Sequence, residues 1–447
     1  MNKIIFPDRF RPRDYQIPLM KAIDGGCRRA VQVWPRRHGK DLTDWNIVGK
    51  EALKGVGNYY YTFPTYAQGK KALWDGKDKA GFPFLEYIPR GIWAKKNETE
   101  LKLTLKNGSI IQIIGTENID SVVGSNPKGI VFSEYSLQNP LGWDYLRPIL
   151  AENGGWAIFN FTARGENHAY DIHKLAKYDP NWFHQLLTVD DTGAIPKEVL
   201  DQERREIIFK YGNDALFRQE YYNDFTVPIA GAYYAEQISR AYAEGRITKV
   251  QHDQQFTVWT WWDLGIADYM FVLFGQVIGQ SVRLIDCLEV SGMSLAEVIQ
   301  KVKSKPYVYE DYKHFAPHDI TVRELSDGKR RIDTAYNLGI KFSTIPKLPV
   351  ADGIDMARNI WPKVWIDAEN CKPLLNAVKS YHKKYDEKKK IYLNEPYHDW
   401  SSHGADTFRG MSVSLQPSDF GRLNRIKDDY GRGRGSGWSQ TFNPATV

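Results

Sequence analysis

The chain has 447 residues, more than one hydrophobic core usually organises, so two domains are expected. Its apolar and charged fractions, 42% and 26%, are those of a globular protein rather than a disordered or fibrous one, and a net charge of +6 permits a nucleic-acid partner without demanding one. Three cysteines (Cys27, Cys287, Cys371) without CxxC spacing argue against a zinc site and suit a reducing, cytoplasmic location, while no stretch reaches the roughly eighteen apolar residues of a signal-anchor or membrane span.

Taken in order, residues 10 to 16 bring an aromatic ring and an amide, Tyr15 and Gln16, to the start of a short amphipathic helix reaching Ile23. Such a pair can stack on a base and hydrogen-bond its edge, although, taken alone, a helix start with a staple-like aromatic is the stronger explanation. The apolar strand Ala30-Val-Gln-Val-Trp34 then breaks at Pro35 and runs through Arg36, Arg37, His38 and Gly39 into Lys40 and Asp41. This reads as a phosphate-binding loop. Backbone N–H groups between Pro35 and Lys40 can curl round a triphosphate, the next helix (Leu42 to Leu53) presents its positive end, and Lys40 bridges the outer phosphates. The match to GxxxxGK[ST] is imperfect, because Trp34 replaces the first glycine and Asp41 the hydroxyl residue that meets Mg²⁺; a basic surface turn is the alternative.

A strand at Asn58 and a hairpin from Leu101 to Gly115 with an Asn107-Gly108 turn follow. Lys128-Gly-Ile-Val-Phe-Ser-Glu134 is a buried strand ending in an acid that can orient or deprotonate an attacking water beside a γ-phosphate, with Ser133 where an Asp usually assists the metal. Trp156-Ala-Ile-Phe-Asn-Phe-Thr162 is another buried strand, ending in a hydroxyl. This order gives a P-loop ATPase domain with a mostly parallel α/β sheet whose ligand lies at the strand ends. The pattern is helical from Ile195 to Tyr222, and a crossing segment separates it from the second half.

There, Phe256 to Asp263, Tyr269 to Val277 and Ser281 to Val290 read as three consecutive strands, followed by a helix with a capping box from Ser294 to Glu297. Phe315-Ala-Pro-His-Asp319 is a further strand with an acid at its end. A strand from Lys341 to Ile345 and helices from Gly353 to Trp361 and Pro373 to Tyr385 lead to a last helix carrying Asp406. Three acids from two strand ends and one helix start can converge, and two hard cations about 4 Å apart between them would activate water for phosphodiester hydrolysis. The strand order is that of an RNase H-like α/β nuclease. The competing explanation is that each Asp caps its own turn. Asp268, Glu289 and Asp399 are substitute or supporting candidates, and His398 and His403 read as helix-entry or surface residues. Arg422, Arg425, Lys427, Arg432 and Arg434 lie in a Gly-rich tail.

Together these motifs resemble the large terminase subunit of tailed double-stranded DNA bacteriophages, over residues 10 to 415. The resemblance rests on Pro-Arg36-Arg37-His-Gly-Lys40, Ile-Val-Phe-Ser-Glu134, Phe-Thr162-Ala-Arg-Gly, Trp-Trp-Asp263-Leu-Gly, Pro-His-Asp319, the Asp352 to Trp361 helix and Ser-His-Gly-Ala-Asp406-Thr-Phe-Arg. It implies an ATPase packaging motor over 1–225, a linker over 226–252, an RNase H-like nuclease over 253–417 and a flexible tail over 418–447. It further implies ATP with Mg²⁺, which Mn²⁺ can replace at the nuclease. Arg36 would sense the γ-phosphate, Gln16 would read adenine, and Thr162 would couple hydrolysis to motion. Asp263, Asp319 and Asp406 would hold the nuclease metals, and Asp41 with Ser133 the ATP-bound ion. The implied partners are double-stranded DNA, a procapsid portal protein, a small terminase subunit and further copies in a ring, in the host cytoplasm and without a membrane. A helicase-like ATPase with a metal-dependent nuclease for repair or restriction, and an inactive DNA-binding scaffold, are the alternatives.

Overall fold

Two separate β-sheets, each sandwiched by helices, organise the chain in the computed structural model, which describes residues 9–117, 124–264, 269–322, 330–386 and 391–421. Asp268 and the tail arginines and lysine beyond residue 421 lie outside the described residues.

The first sheet contains β1 (Arg29–Val33), β2 (Asn58–Phe63), β3 (Trp93–Asn97), β4 (Lys102–Leu105), β5 (Ile110–Gly115), β6 (Pro127–Ser133), β7 (Trp156–Phe161) and β8 (Phe183–Leu186), in the order β3-β4-β5-β2-β6-β7-β1-β8. From β5 to β8 every pairing is parallel; β4 alone runs the opposite way, pairing antiparallel with β3 on one side and, through the expected Asn107-Gly108 hairpin, with β5 on the other. A parallel sheet is covered on both faces, which is why β7 is apolar at nearly every position and fully buried. Tyr59, Tyr61 and Ile158 pack into the core on one face, and Tyr60, Val31 and Phe159 into the core on the other. All the loops that follow these parallel strands open on one edge.

The second sheet contains β9 (Ile247–Thr248), β10 (Val258–Leu264), β11 (Met270–Ile278), β12 (Ser281–Val290), β13 (Tyr309–Ala316), β14 (Phe342–Thr344) and β15 (Val364–Asp367). Its order is β14-β13-β10-β11-β12-β15-β9. The β10-β11-β12 meander is antiparallel, β13 joins β10 in parallel, and β14 joins β13 in parallel. This is the RNase H-like topology expected from the strand order. The helix Ser401–Ser414 lies across it, with Ala405, Phe408 and Met411 in the same core as Trp259, Trp261 and Phe271. Gly404 permits the close approach, since a Cβ there would come within 3.2 Å of the Phe271 ring on the sheet and 2.6 Å of Ala377 on the preceding helix.

Three expectations shift. The helix expected from Pro373 to Tyr385 ends at Ser380, and Lys383–Asp386 (β16) pairs antiparallel with Ile391–Pro396 (β17). Asp319 sits not on a strand end but in a 3-10 turn, His318–Thr321, beyond β13. Within residues 226–252, a helix Ala235–Ala243 and β9 form, and Tyr233, Tyr234, Ile238, Ala241 and Ile247 enter the core of the second sheet. The two domains touch through a 3.0 Å ion pair between Asp171 and Lys372 and through His168, whose ring meets Trp400 edge-on at 5.4 Å.

Candidate active sites

The first site forms where β1, β6 and β7 end together. Gly39 takes the left-handed conformation at φ 79°, which turns the loop into the helix Lys40–Lys54, and a Cβ there would strike the Gln16 amide at 2.9 Å. Lys40 is buried, and its Nζ donates to Trp34 O at 3.1 Å and to Thr162 Oγ1 at 2.8 Å, 3.6 Å from the Glu134 carboxylate. Glu134 itself adopts φ 54°, uncommon for a side-chain-bearing residue, and its N–H donates to Asn160 Oδ1 at 3.2 Å. Lys40, Thr162 and Glu134, distant in sequence, therefore share one contact.

Asp41 points into the site. Its Oδ1 accepts from Ser133 Oγ at 2.6 Å and from the Tyr61 hydroxyl at 2.8 Å. Beneath it lies a polar cluster that no motif announces: Asp44 is wholly buried, bonded by the Gln32 amide and by Asn160 Nδ2 at 2.6 Å. Burial raises its carboxyl to about 8, with the Asp41 charge adding to the rise and the Asn160 bond opposing it. The sequence does carry a signal for this cluster, in the form of single polar residues, Gln32 and Asn160, inside otherwise apolar strands.

The remaining loop residues separate. Gln16 is buried, and its amide is spent on the protein: it donates to His38 O at 3.3 Å and accepts from Arg13 N at 2.9 Å. Tyr15 also donates to His38 O, at 2.9 Å. His38 is buried, which pushes its imidazole pKa down, and its ring nitrogen Nδ1 lies 2.8 Å from Arg36 O. Arg37 holds φ 68°, completing the turn. Arg36 is 65% exposed and lies 4.0 Å from Glu220 Oε2, while Arg164 pairs with Oε1 of the same carboxylate at 2.5 Å.

The second site is a cleft of about 310 Å³ whose lining includes Asp263, Asp319, Asp406, His318, Lys347 and Arg409. Asp263 is the penultimate residue of β10, and its Oδ2 lies 2.9 Å from His403 Nδ1; the histidine read as a surface or helix-entry residue is therefore bound to the site. Asp406 projects from the last helix, accepting from the Tyr381 hydroxyl at 3.2 Å and pairing with Arg409 at 3.0 Å. Its carboxyl is raised chiefly by burial, with Arg409 opposing and Asp263 adding to the rise. Mutual repulsion between two carboxylates is what a divalent cation relieves, so Asp263 and Asp406 fit such an ion chemically. Asp319 is 53% exposed at the rim, beside His318 at 3.2 Å. Among the described residues no three His, Cys, Asp or Glu side chains stand close enough to enclose a metal, so the three acids share a cleft without forming a closed ligand set. Glu289 stands apart, bonded by the Tyr269 hydroxyl and raised to about 7 mainly by burial. Asp399 is a structural cap, accepting from Ser401 N at 2.9 Å.

No protein-family profile matches this chain. The large terminase subunit of Escherichia phage T5 is 25% identical to it over 331 residues, covering 70% of this chain and 72% of that protein. Among solved structures, the large terminase of a thermophilic bacteriophage in complex with ADP aligns over 90% of this chain and 98% of its own, at 14% identity and a TM-score of 0.39. The ATPase domain of the Thermus phage P74-26 large terminase covers 48% of this chain and 94% of itself, at 17% identity and a TM-score of 0.40. Similarity to a phage large terminase thus extends along most of the sequence.

Proposed function

We propose that this chain is a large terminase subunit with two enzymatic sites: an ATPase that drives double-stranded DNA into a procapsid, and a metal-dependent endonuclease that cuts the concatemeric genome. The observation that carries the reading is the convergence of Lys40, Thr162, Glu134 and the Asp41–Ser133 pair at the carboxyl edge of one parallel sheet. Ligands of such sheets bind at that edge.

ATP would lie over the loop 35–40, its outer phosphates drawing Lys40 Nζ away from Trp34 O and Thr162. Glu134, 3.6 Å from that ammonium, is placed to hold the attacking water. Thr162 loses or regains the Lys40 bond as phosphate enters and leaves, which suits a coupling role. Asp41 and Ser133 would hold the nucleotide's Mg²⁺. Arg36, exposed at the loop, supplies positive charge where negative charge develops in the transition state. Gln16 supports the loop from beneath and, with its amide engaged, contacts adenine only through its remaining hydrogen-bonding capacity.

In the second domain, Asp263 and Asp406 would hold a divalent cation, Mg²⁺ or Mn²⁺, with Asp319 closing in from the rim when DNA phosphate enters. The ion supplies water activation; the protein's part is to orient the two carboxylates through His403 and Tyr381. The reading includes division into an ATPase domain over 1–225 and a nuclease domain over 253–417 whose core also takes in residues 233–247, action as a ring on a portal protein with a small terminase subunit, and work in the host cytoplasm. Among the described residues no helix is long and apolar enough to cross a membrane. The test is in vitro packaging: procapsids from the same phage, genomic DNA and this protein should give ATP-dependent protection of DNA from added nuclease. Protection that does not require ATP or this protein would overturn the reading.

A further inference from the structure

Two aromatic side chains of the second domain stand between the sites. Tyr269 stacks on His403 with ring centroids 4.1 Å apart, donates its hydroxyl to Glu289, and is hydrogen-bonded to Asn139 of the first domain. Trp400 is the residue at which the helix Ser401–Ser414 begins, and its ring receives the edge of His168 from the first domain. His403 and Asp406 both ride on that helix. A cavity of about 390 Å³ between the domains is lined by Asn139, Tyr145, Tyr269, Trp400 and His403, which leaves these side chains room to move.

Both first-domain partners are fastened to the turn that carries Glu134. His168 places a ring nitrogen 2.8 Å from Tyr135 O, and its neighbour Asn167 donates to Ser136 O at 2.9 Å. Asn139 follows Gln138, whose amide donates to Ser133 O at 2.6 Å and Thr62 O at 3.1 Å. Ser136 in turn donates to Thr162 O at 3.1 Å. An incoming γ-phosphate competes with Glu134 for Lys40 and repels the carboxylate, so the turn has different interactions in the empty and filled states. A difference in interaction between two states is what coupling requires.

We propose that Tyr269 and Trp400 are positioning residues through which the nucleotide site sets the geometry of the acidic cleft. Displacement of the 134–139 turn shifts Asn139 and His168; Tyr269 then re-aims His403 and with it Asp263, and Trp400 tilts the helix end that carries Asp406. This deepens the two-site reading and rests on it.

Hydrogen–deuterium exchange on the full chain with and without ATPγS tests the proposal. In the wild type, the nucleotide analogue should protect residues 34–41 and change exchange in peptides covering 399–406 by about fivefold or more. In Tyr269→Phe, which keeps the ring stack and removes the hydroxyl, the distal change should shrink, and in Tyr269→Phe with His168→Ala it should vanish while protection at 34–41 persists. ATPγS should likewise alter Mn²⁺-dependent plasmid cleavage in the wild type and leave the double variant's rate unaltered. A double variant with the full wild-type response at 399–406 would overturn the proposal, as would a wild type protected at 34–41 without any distal change, which leaves the nucleotide reading standing. No protection at 34–41 would remove both.

Discussion

Ser133 donates a 2.6 Å hydrogen bond to Asp41, tying the end of β6 to the first turn of the helix that follows the phosphate loop. P-loop sites ordinarily place a hydroxyl after the lysine and a carboxylate before the catalytic acid, around one Mg²⁺. Here the two groups have changed places and still face each other. Asp41→Ser and Ser133→Asp should each lower steady-state ATP turnover about tenfold or more, whereas the double exchange should recover most of it. Turnover in the double variant no better than the product of the singles, at saturating Mg²⁺, would show that the positions do not act on one ion.

The sites lie in different domains, so their activities should come apart. Lys40→Ala and Glu134→Gln are expected to reduce ATP turnover by about a hundredfold while sparing Mn²⁺-dependent plasmid nicking. Asp263→Ala should do the reverse. Plasmid cleavage by Asp263→Ala at the wild-type rate would refute the nuclease assignment.

Tyr381 braces Asp406 by a single hydroxyl. Replacing it by Phe keeps the packed ring and removes the bond, so the Mn²⁺ concentration giving half-maximal cleavage should rise about tenfold, as for other groups that orient a metal ligand. ATP turnover should not change. A titration curve superimposable on the wild type would show that the hydroxyl is irrelevant to the ion.

Buried Asp44 makes a prediction about pH. Its folded carboxyl lies near 8, against an ordinary value of 3.8, so the folded state holds a proton that the unfolded chain has released. Stability from this group is full below about pH 4 and declines as pH rises toward 8, at about 1.4 kcal/mol per pH unit, then levels off. The protonated acid needs an acceptor, and Gln32 Oε1 is buried without a partner as placed; rotating that amide by half a turn supplies one. Asp44→Asn mimics the protonated form. Melting temperature should therefore fall between pH 6 and 8 in the wild type more steeply than in the variant, and parallel slopes would place the carboxyl's ionisation outside this window.

Much of the scaffold is legible in the sequence because it follows from one-dimensional patterns. The apolar run that leads into the phosphate loop and the runs that end at Glu134, Thr162 and Asp263 mark buried strands, and they fold as such. What is not legible is pairing between elements. Nothing near His403 announces that its ring reaches Asp263, because the contact is made only when the last helix packs across β10. The β16–β17 hairpin reads as a helix extension: Lys383-Lys-Tyr-Asp is mostly charged, so it has no alternation of apolar residues to betray a strand. Asp319 illustrates the converse, since a short apolar segment locates the acid but cannot distinguish a strand end from the turn beyond it. The Gln32–Asp44–Asn160 cluster is visible residue by residue and invisible as a unit.

The place of β1 between β7 and β8 has a consequence for how the protein is made. The strand that leads into the phosphate loop is the first of its sheet to leave the ribosome, yet both of its neighbours lie more than a hundred residues later. Until residue 186 has emerged, Ala30-Val-Gln-Val33 lacks one or both of its native neighbours. The nascent chain therefore carries an apolar, unpaired strand through most of the synthesis of its first domain, and such a strand is a template for association with other chains. Early termination within residues 40–155 should leave fragments that depend on chaperones or precipitate, because the sheet's oldest strand gains its first partner only with β7 and its second with β8.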